Sequence, residues 1–349
     1  MYFKYMLYTI GYGGFSPGEF LNALKSRGVE VLIDVRRFPR SKTGFYTGGA
    51  LKEALGRAGI EYVWLGELGA LGVRGPRAGC VESQTFDMYV WRLYHYAPAL
   101  LQLEELEKTA RQRTAALMCR EENWRHCHRQ FLADFLTRRG LEVVHIRRSG
   151  EERHVPTTCF NTYDVPPLDL VKRVYADFQH LCGGASVYLF GGALDGSTHD
   201  VDVVAYGHAA DLPEGYDAQA LPEPGEDLFH YFVTHWGVLL CGKPHRVDLA
   251  AALRNEAAAL EAKMERFKHA QDPVAVCKAA KELVFAAAVA LCGAKNSYTW
   301  RRATACLKSH GFEIPGLFKN CLAPPPAEEL RRHEPLVARL AELIKAALG

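Results

Sequence analysis

The 349-residue chain is 48% hydrophobic and carries 42 lysines and arginines against 40 aspartates and glutamates. That length and apolar content predict a soluble globular protein of two or three domains. The near balance of charge excludes an overall field that would by itself draw the chain to nucleic acid or an anionic membrane, so any such contact must come from local patches.

Met1 to Gly14 lacks the layout of a signal peptide and reads as a first strand, Tyr5 to Ile10. The longest apolar helical stretch, Val284 to Cys292, is too short to span a bilayer and is flanked by Lys281, Glu282 and Lys295. A cytoplasmic protein with no membrane association is therefore expected. Its ten cysteines should then be reduced thiols, although intracellular proteins of some hyperthermophiles carry disulfides. No Cys-x-x-Cys pair occurs, which argues against zinc ribbons and fingers.

After the first strand come Gly11, Tyr12, Gly13 and Gly14, then Ser16, Pro17 and Glu19. Ser16 with Glu19 forms a capping box, Pro17 suits the first helical position, and Phe20, Leu21 and Leu24 supply a buried face. A glycine-rich turn that opens a helix exposes N–H groups able to cradle an anion, so Gly11, Gly13 and Gly14 are candidate anion binders, or simply a tight turn. Val29 to Val35 reads as a doubly covered strand that delivers Asp34 and Arg36 at its end. Ile60 to Leu65 is a third strand, and Thr85 to Arg111 a long helical region with a kink at Pro98.

The densest chemistry lies in Thr114 to Gly140. Thr114 to Cys119 has strand length, Asn123 is a helix N-cap, and Trp124, Cys127, Phe131, Leu132 and Phe135 repeat at helical spacing. Cys119 thus ends a strand and Cys127 sits in the first turn of a helix, where the dipole and Arg120, Arg125 and Arg129 favour thiolate. The alternative is a packed core thiol, because Cys127 lies on the apolar face. Glu142 to Ile146 completes a set of strands alternating with helices. The fold expected for residues 1–164 is α/β, a mostly parallel Rossmann-like sheet with helices on both faces and a ligand site at the strands' carboxyl ends.

Several of these positions, the Thr9 to Gly11 turn, Asp34-Val35-Arg36, Pro39, Gly44-Phe45, Tyr62, Leu68-Gly69, Cys119, Glu121 and Cys127-His128-Arg129, resemble the family catalogued as domain of unknown function 488. The resemblance covers nearly the whole first domain, and Arg120 departs from it where the family usually has a small residue. It implies no settled reaction, only that this polar cluster is the family's motif set. Three chemistries compete for Cys119, Cys127, His128, Arg129, Asp34, Arg36 and Glu121. Cys119 could be a nucleophile or sulfur carrier assisted by Cys127 or His128, with Asp34, Arg36 and Arg129 holding an anion. The two thiols could form a reversible redox pair. A metal site from Cys119, Cys127 and His126 or His128 is the weakest reading, because alternate residues of one helix point apart. Arg36 and Arg129 could instead be structural partners of Asp34 and Glu121.

Arg148 to Asp169 mixes charges, prolines and turn formers and reads as a linker. A helix from Leu170 to Leu181 then leads to SVYLFGGALDGSTHDVDVVAYG. Here Ser186 to Phe190 is a strand, Gly191-Gly192 a turn, and Asp200 to Tyr206 a strand with two carboxylates, Asp200 and Asp202, on one face. Such a pair can hold magnesium bridging a nucleotide's phosphates, while the glycines admit the triphosphate. Val187 to Val204 resembles the nucleotidyltransferase superfamily, in the variant with a double glycine and a short Ser-Thr-x-Asp-x-Asp segment. The resemblance implies phosphate approach at Gly191 and Gly192, with Ser197 beside them, and metal binding by Asp200 and Asp202. A third acid is expected at Asp248, with Asp217 and Asp227 behind it.

The remainder is helical, over Asn255 to His269, Val274 to Leu291, Tyr298 to His310 and Pro326 to Leu348. The second of these is apolar nearly all round and should lie at the centre of a bundle. Lys295, Tyr298, Trp300, Arg301 and Arg302 could meet a nucleotide base or backbone. The expected organisation is thus an α/β domain over 1–164, a small α+β nucleotidyltransferase-like domain over 165–252 and a helical bundle over 253–349. The expected cofactor is Mg2+, the substrate a nucleoside triphosphate, and the partners a nucleotide and RNA or DNA. The alternatives are a non-catalytic nucleotide or nucleic-acid sensor and a thiol-based redox or sulfur-handling enzyme.

Overall fold

The structure, a computed structural model, describes residues 5–348; the first four residues of the expected N-terminal segment lie outside them. The chain divides into two compact units, Met1–Leu168 and Asp169–Gly349. No helix among the described residues is long and apolar enough to cross a membrane.

The first unit is built on a six-stranded sheet. Its strands are β1 (Tyr5–Gly11), β2 (Val31–Asp34), β3 (Glu61–Trp64), β4 (Ala115–Cys119), β5 (Leu141–Arg147) and β6 (Gly150–Arg153), in the order β3-β2-β4-β1-β5-β6. The first five are parallel and β6 runs antiparallel to β5. Helices α1 (Pro17–Lys25) and α2 (Gly48–Arg57) cover one face, where Phe20, Leu24, Leu51 and Leu55 pack on Ile10, Leu32, Ala116 and Met118. The other face carries α3 (Gln84–His95), α4 (Ala97–Gln112) and α5 (Arg129–Arg138), joined by the ring contacts Phe86–Phe131 and Tyr94–Phe135. Dinucleotide-binding sheets run 3-2-1-4-5-6, whereas here β4 enters between β1 and β2. Connections leaving β1 and β4 therefore run in opposite directions.

The capping box at the start of α1 forms as the sequence requires, with Ser16 Oγ accepting from Glu19 N and Glu19 Oε2 accepting from Ser16 N. Pro98 breaks rather than kinks the long helical region: Tyr96 is extended, and the proline falls in the first turn of α4, where its missing N–H costs nothing. Residues 148–163 are not a linker. Gly150–Arg153 adds β6 to the sheet, Thr157 donates to Asp134, and Cys159 is bonded to Cys80.

In the second unit α6 (Leu168–Phe178) precedes a four-stranded sheet of β7 (Ala185–Phe190), β8 (Asp202–Gly207), β9 (Asp217–Leu221) and β10 (Val238–Cys241), ordered β10-β7-β8-β9. Strand β7 is antiparallel to β10 and β8, and β8 is parallel to β9. Helix α7 (Leu228–Trp236) separates β9 from β10. The helical part follows as α8 (Leu249–Ala258), α9 (Leu260–His269), α10 (Pro273–Cys292), α11 (Trp300–Ser309), α12 (Ala327–Arg331) and α13 (Glu334–Leu348). The apolar α10 lies at its centre, against α9, α11, α12 and α13.

Four disulfides staple the units: Cys80–Cys159 in the first, and Cys182–Cys241, Cys277–Cys321 and Cys292–Cys306 in the second. This overturns the expectation of ten reduced thiols. Compartment statistics cannot reveal which cysteines the fold brings together, and here the Cα atoms of each pair stand 5.1 to 6.3 Å apart, within bridging range. Cys119 and Cys127 remain free.

Candidate functional site

In the first unit, candidate residues gather at the carboxyl ends of β1, β2 and β4, but on two faces. Leu32 and Met118 point into the core under α1 and α2, so by strand alternation Asp34 shares that face while Cys119 and its register partner Gly11 take the opposite one. Asp34 is fully occupied. Arg36 Nε donates to its Oδ1 at 2.9 Å and Arg36 Nη2 to its Oδ2 at 2.6 Å, and Tyr62 Oη donates to Oδ2 at 2.8 Å. Burial works against the Arg36 charge, but the Asp34 carboxylate outweighs it and holds the guanidinium pKa above its usual value. This is the structural pairing; the fork of Arg36 is spent inside the protein.

The glycine turn is likewise committed. Tyr12 N donates to Cys119 O and Gly13 N to Arg120 O, which extends the β1–β4 pairing past the strand ends. Gly11 is glycine because a Cβ there would sit 1.8 Å from Glu121 O, and Gly14 because its φ is +88°. The N–H groups of Tyr12 and Gly13 are therefore not available to an anion.

The opposite face holds the thiols. The backbone differs from the helical expectation: Asn123 caps a 3-10 turn over Trp124–His126, Cys127 is extended, and α5 begins only at Arg129. The local driver is Asn123 Oδ1, which accepts from Arg125 N two residues on and closes a tighter turn than an α-helix. Cys127 and His128 consequently do not diverge as helical neighbours would. Cys119 Sγ lies 3.7 Å and Cys127 Sγ 3.9 Å from His128 Nδ1. All three ligand atoms fall within 4.8 Å of one another. His128 Nε2 is 3.1 Å from Val35 O. A carbonyl only accepts, so Nε2–H donates to it, and Nδ1 faces the sulfurs.

Arg129 is fully buried. Its Nε donates to Cys127 Sγ at 3.3 Å and its Nη1 to Thr9 Oγ1 at 3.3 Å, while Nη2 donates to Glu121 O. It pairs with the main chain of Glu121 and not with its carboxylate, and its charge acts on Cys127. Burial opposes ionisation of Cys127, but the neighbouring Cys119 thiol, His128 and Arg129 together hold its pKa well below the usual value. Cys119 moves the other way, raised first by the Cys127 sulfur beside it and then by burial, and its thiol donates to Glu121 Oε2 at 3.2 Å. The pair thus offers one thiolate and one thiol beside an imidazole.

Behind Arg129 runs a chain that sequence reading missed. Thr9 Oγ1 lies 2.7 Å from His145 Nδ1, His145 Nε2 lies 3.1 Å from His154 Nδ1, and His154 Nε2 lies 2.8 Å from Asp134 Oδ1. These side chains form one continuous hydrogen-bonded chain from Arg129 to Asp134. Trp124 stacks on His145 with centroids 4.1 Å apart. Only long-range pairing of β1, β5 and β6 assembles this chain, and no local motif announces it.

In the second unit Asp202 opens β8 and is the register partner of Asp217 at the start of β9. Burial, then the Asp217 charge, pushes the Asp202 carboxyl up to about 6, and Lys281 of α10 opposes the rise. Gly191 has φ +83°, and a Cβ there would lie 2.2 Å from Asp202 Oδ2. Gly192 begins a 3-10 turn, and its carbonyl accepts from Ser197 N at 2.9 Å. Asp200 is exposed and precedes β8, so the same-face argument from strand alternation does not apply to it. Asp248 caps α8, accepting from Ala251 N at 2.7 Å, and Asp227 caps α7. Lys281 was not anticipated; it comes from the bundle, 64 residues on from Asp217, and its Nζ donates to Lys319 O at 3.0 Å. The basic cluster at α11 is turned inward in part: Tyr298 stacks on Trp236, Arg302 lies over Tyr298, and Arg301 pairs with Asp195.

Among the described residues, two groups of three possible metal ligands have their ligand atoms within 4.8 Å of one another. One is Cys119, Cys127 and His128. The other, Cys292, Cys306 and His310, has its two sulfurs bonded to each other. The aspartates of the second unit are more open than that.

A family model described as domain of unknown function DUF488 matches residues 16–136, the segment that contains Asp34, Arg36, Cys119, Glu121, Cys127, His128 and Arg129. It supports the family resemblance of the first unit. No curated protein and no solved structure matches the chain.

Proposed function

We propose that the second unit carries out magnesium-dependent transfer of a nucleotidyl group from a nucleoside triphosphate. The observation that carries this reading is the Asp202–Asp217 pairing at the edge of the glycine turn. Two carboxylates held side by side, one of them partly buried and raised to about 6, form a donor set that gains from a hard divalent cation. Asp202 and Asp217 would hold the metal, with Asp200 in the preceding loop as an outer ligand. Bound magnesium neutralises and bridges the phosphates of the nucleotide. Gly191 and Gly192 let the triphosphate approach the main chain, and Lys281 balances the acidic pair from the bundle side.

The acceptor classes consistent with this site are nucleic acid, protein or a small hydroxyl compound. Incubating the purified protein with alpha-labelled nucleoside triphosphates, magnesium and mixed cellular RNA tests the proposal. Label should appear on one acceptor class and vanish in Asp202→Ala. A sensor that binds nucleotide without transferring it is the second reading, favoured by the exposed position of Asp200 outside β8. Tight magnesium-dependent binding with no label on any acceptor would select it.

A further inference from the structure

We propose that Cys119, Cys127 and His128 form a binding site for a zinc-class metal ion, with the fourth position left to an exchangeable ligand. The inference is independent of the nucleotidyl-transfer reading, since it concerns the first unit alone.

Distances carry it. In a tetrahedral site with Zn–S of about 2.3 Å and Zn–N of about 2.0 to 2.1 Å, the sulfur-to-nitrogen edges come to about 3.5 to 3.6 Å. The two edges here are 3.7 Å from Cys119 Sγ and 3.9 Å from Cys127 Sγ to His128 Nδ1. Both sulfur-to-nitrogen edges are within a few tenths of an ångström of those a tetrahedral ion needs, and the two sulfurs lie within 4.8 Å of each other. The fourth corner is left to an exchangeable ligand, since no further protein ligand atom lies within 4.8 Å of all three among the described residues.

The surroundings agree. A metal-bound histidine donates its remote ring N–H to a carbonyl or carboxylate, which fixes the tautomer and aims the lone pair; His128 Nε2 does this to Val35 O. Thiolate ligands accept from nearby N–H groups, as Cys127 Sγ does from Arg129 Nε. Charge closes as well. Two thiolates neutralise a divalent ion, so the ion enters the site without adding net charge to the ligand set. Metal entry releases the thiol protons to solvent.

Redox state points the same way. Eight of the ten cysteines are bonded in disulfides, yet these two sulfurs are neighbours and unbonded. A shared metal ion holds a thiol pair apart and shields it from oxidation. Three protein ligands, all of them buried, match a site that keeps one exchangeable position.

The test uses the full, untagged chain purified without chelator or reductant. Elemental analysis should find about one zinc-class ion per chain, and anaerobic exchange with cobalt(II) should give thiolate-to-cobalt charge transfer and tetrahedral d–d bands. Cys127→Ser should weaken cobalt binding by about 100-fold or more, given that even outer-shell changes cost 10- to 100-fold. Asp202→Ala with Asp217→Ala should leave the bound ion in place. Wild-type protein with no bound ion and no cobalt charge transfer would overturn the proposal, as would loss of the ion in the aspartate variant or a fifth disulfide joining Cys119 to Cys127.

Discussion

Asp202 and Asp217 are register partners on adjacent parallel strands, so their side chains leave the sheet on the same face. Nothing in the spacing of these residues required it. The segment that joins β8 to β9 is loop, and the pairing is made by β9 returning alongside β8.

The pairing has a measurable cost in metal-free protein. The Asp202 carboxyl titrates near 3.8 when unfolded and at about 6 in the fold. Between those values the folded chain holds a proton that the unfolded chain has lost, so stability falls as pH rises through this window. The full effect is at most about 3 kcal/mol. Denaturant unfolding of the second unit between pH 4 and 7 in chelator should show the decline, roughly, with a slope of about 1.4 kcal/mol per pH unit at its steepest. Asp202→Asn should flatten it.

His145 gives a slope of opposite sign in the first unit. Burial first, then His154 and Arg129, depresses its pKa to about 2, so it stays neutral between Thr9 and His154. Below about pH 6.5 the unfolded chain takes up a proton that the folded chain refuses, and stability falls as pH falls. Lowering the pH from 6.5 to 5 should cost roughly 1 to 2 kcal/mol by this group alone, and His145→Gln should remove that part of the decline.

Gly11→Ala probes the close packing of β1 against the loop that follows β4. The new methyl would meet Glu121 O at 1.8 Å and Arg129 Nη2 at 2.8 Å, neither of which can withdraw without breaking the thiol site. A loss of about 3 kcal/mol is expected in the first unit. Chemical denaturation with separate probes for the two units would measure it, and a loss under about 1 kcal/mol would mean that the loop simply yields.

Thiol counting checks the disulfide pattern. Denatured without reductant, the metal-stripped chain should expose two reactive thiols, and after reduction ten, with peptide mapping assigning the first two to Cys119 and Cys127. Opening Cys80–Cys159, which spans 79 residues, should cost the first unit about 4 kcal/mol through loop entropy.

Local physics made much of this legible. Hydrophobic runs located the first five strands, the Ser16 and Glu19 pair fixed the start of α1, and the uniform apolarity of α10 placed it at the bundle centre. The errors share a cause, which is that side-chain competition and tertiary pairing override spacing. Asn123 closes a 3-10 turn where periodicity reads helix, so Cys127 and His128 converge instead of diverging. The polar segment after Arg148 reads as linker, yet Gly150–Arg153 finds the edge of β5 and Cys159 finds Cys80. Asp248 was favoured as third acid by its place after β10, but it meets the open N–H groups of α8 and caps them.

That last contrast gives the most direct test of the proposed transferase site. Magnesium-dependent transfer from alpha-labelled nucleoside triphosphate should be compared in wild type, Asp217→Asn and Asp248→Asn. If the paired aspartates hold the metal, Asp217→Asn should lose at least about 100-fold in rate, an effect of about 2.7 kcal/mol, while Asp248→Asn keeps most of its activity and loses only helix-cap stability. Transfer that survives in Asp217→Asn and fails in Asp248→Asn would contradict the assignment.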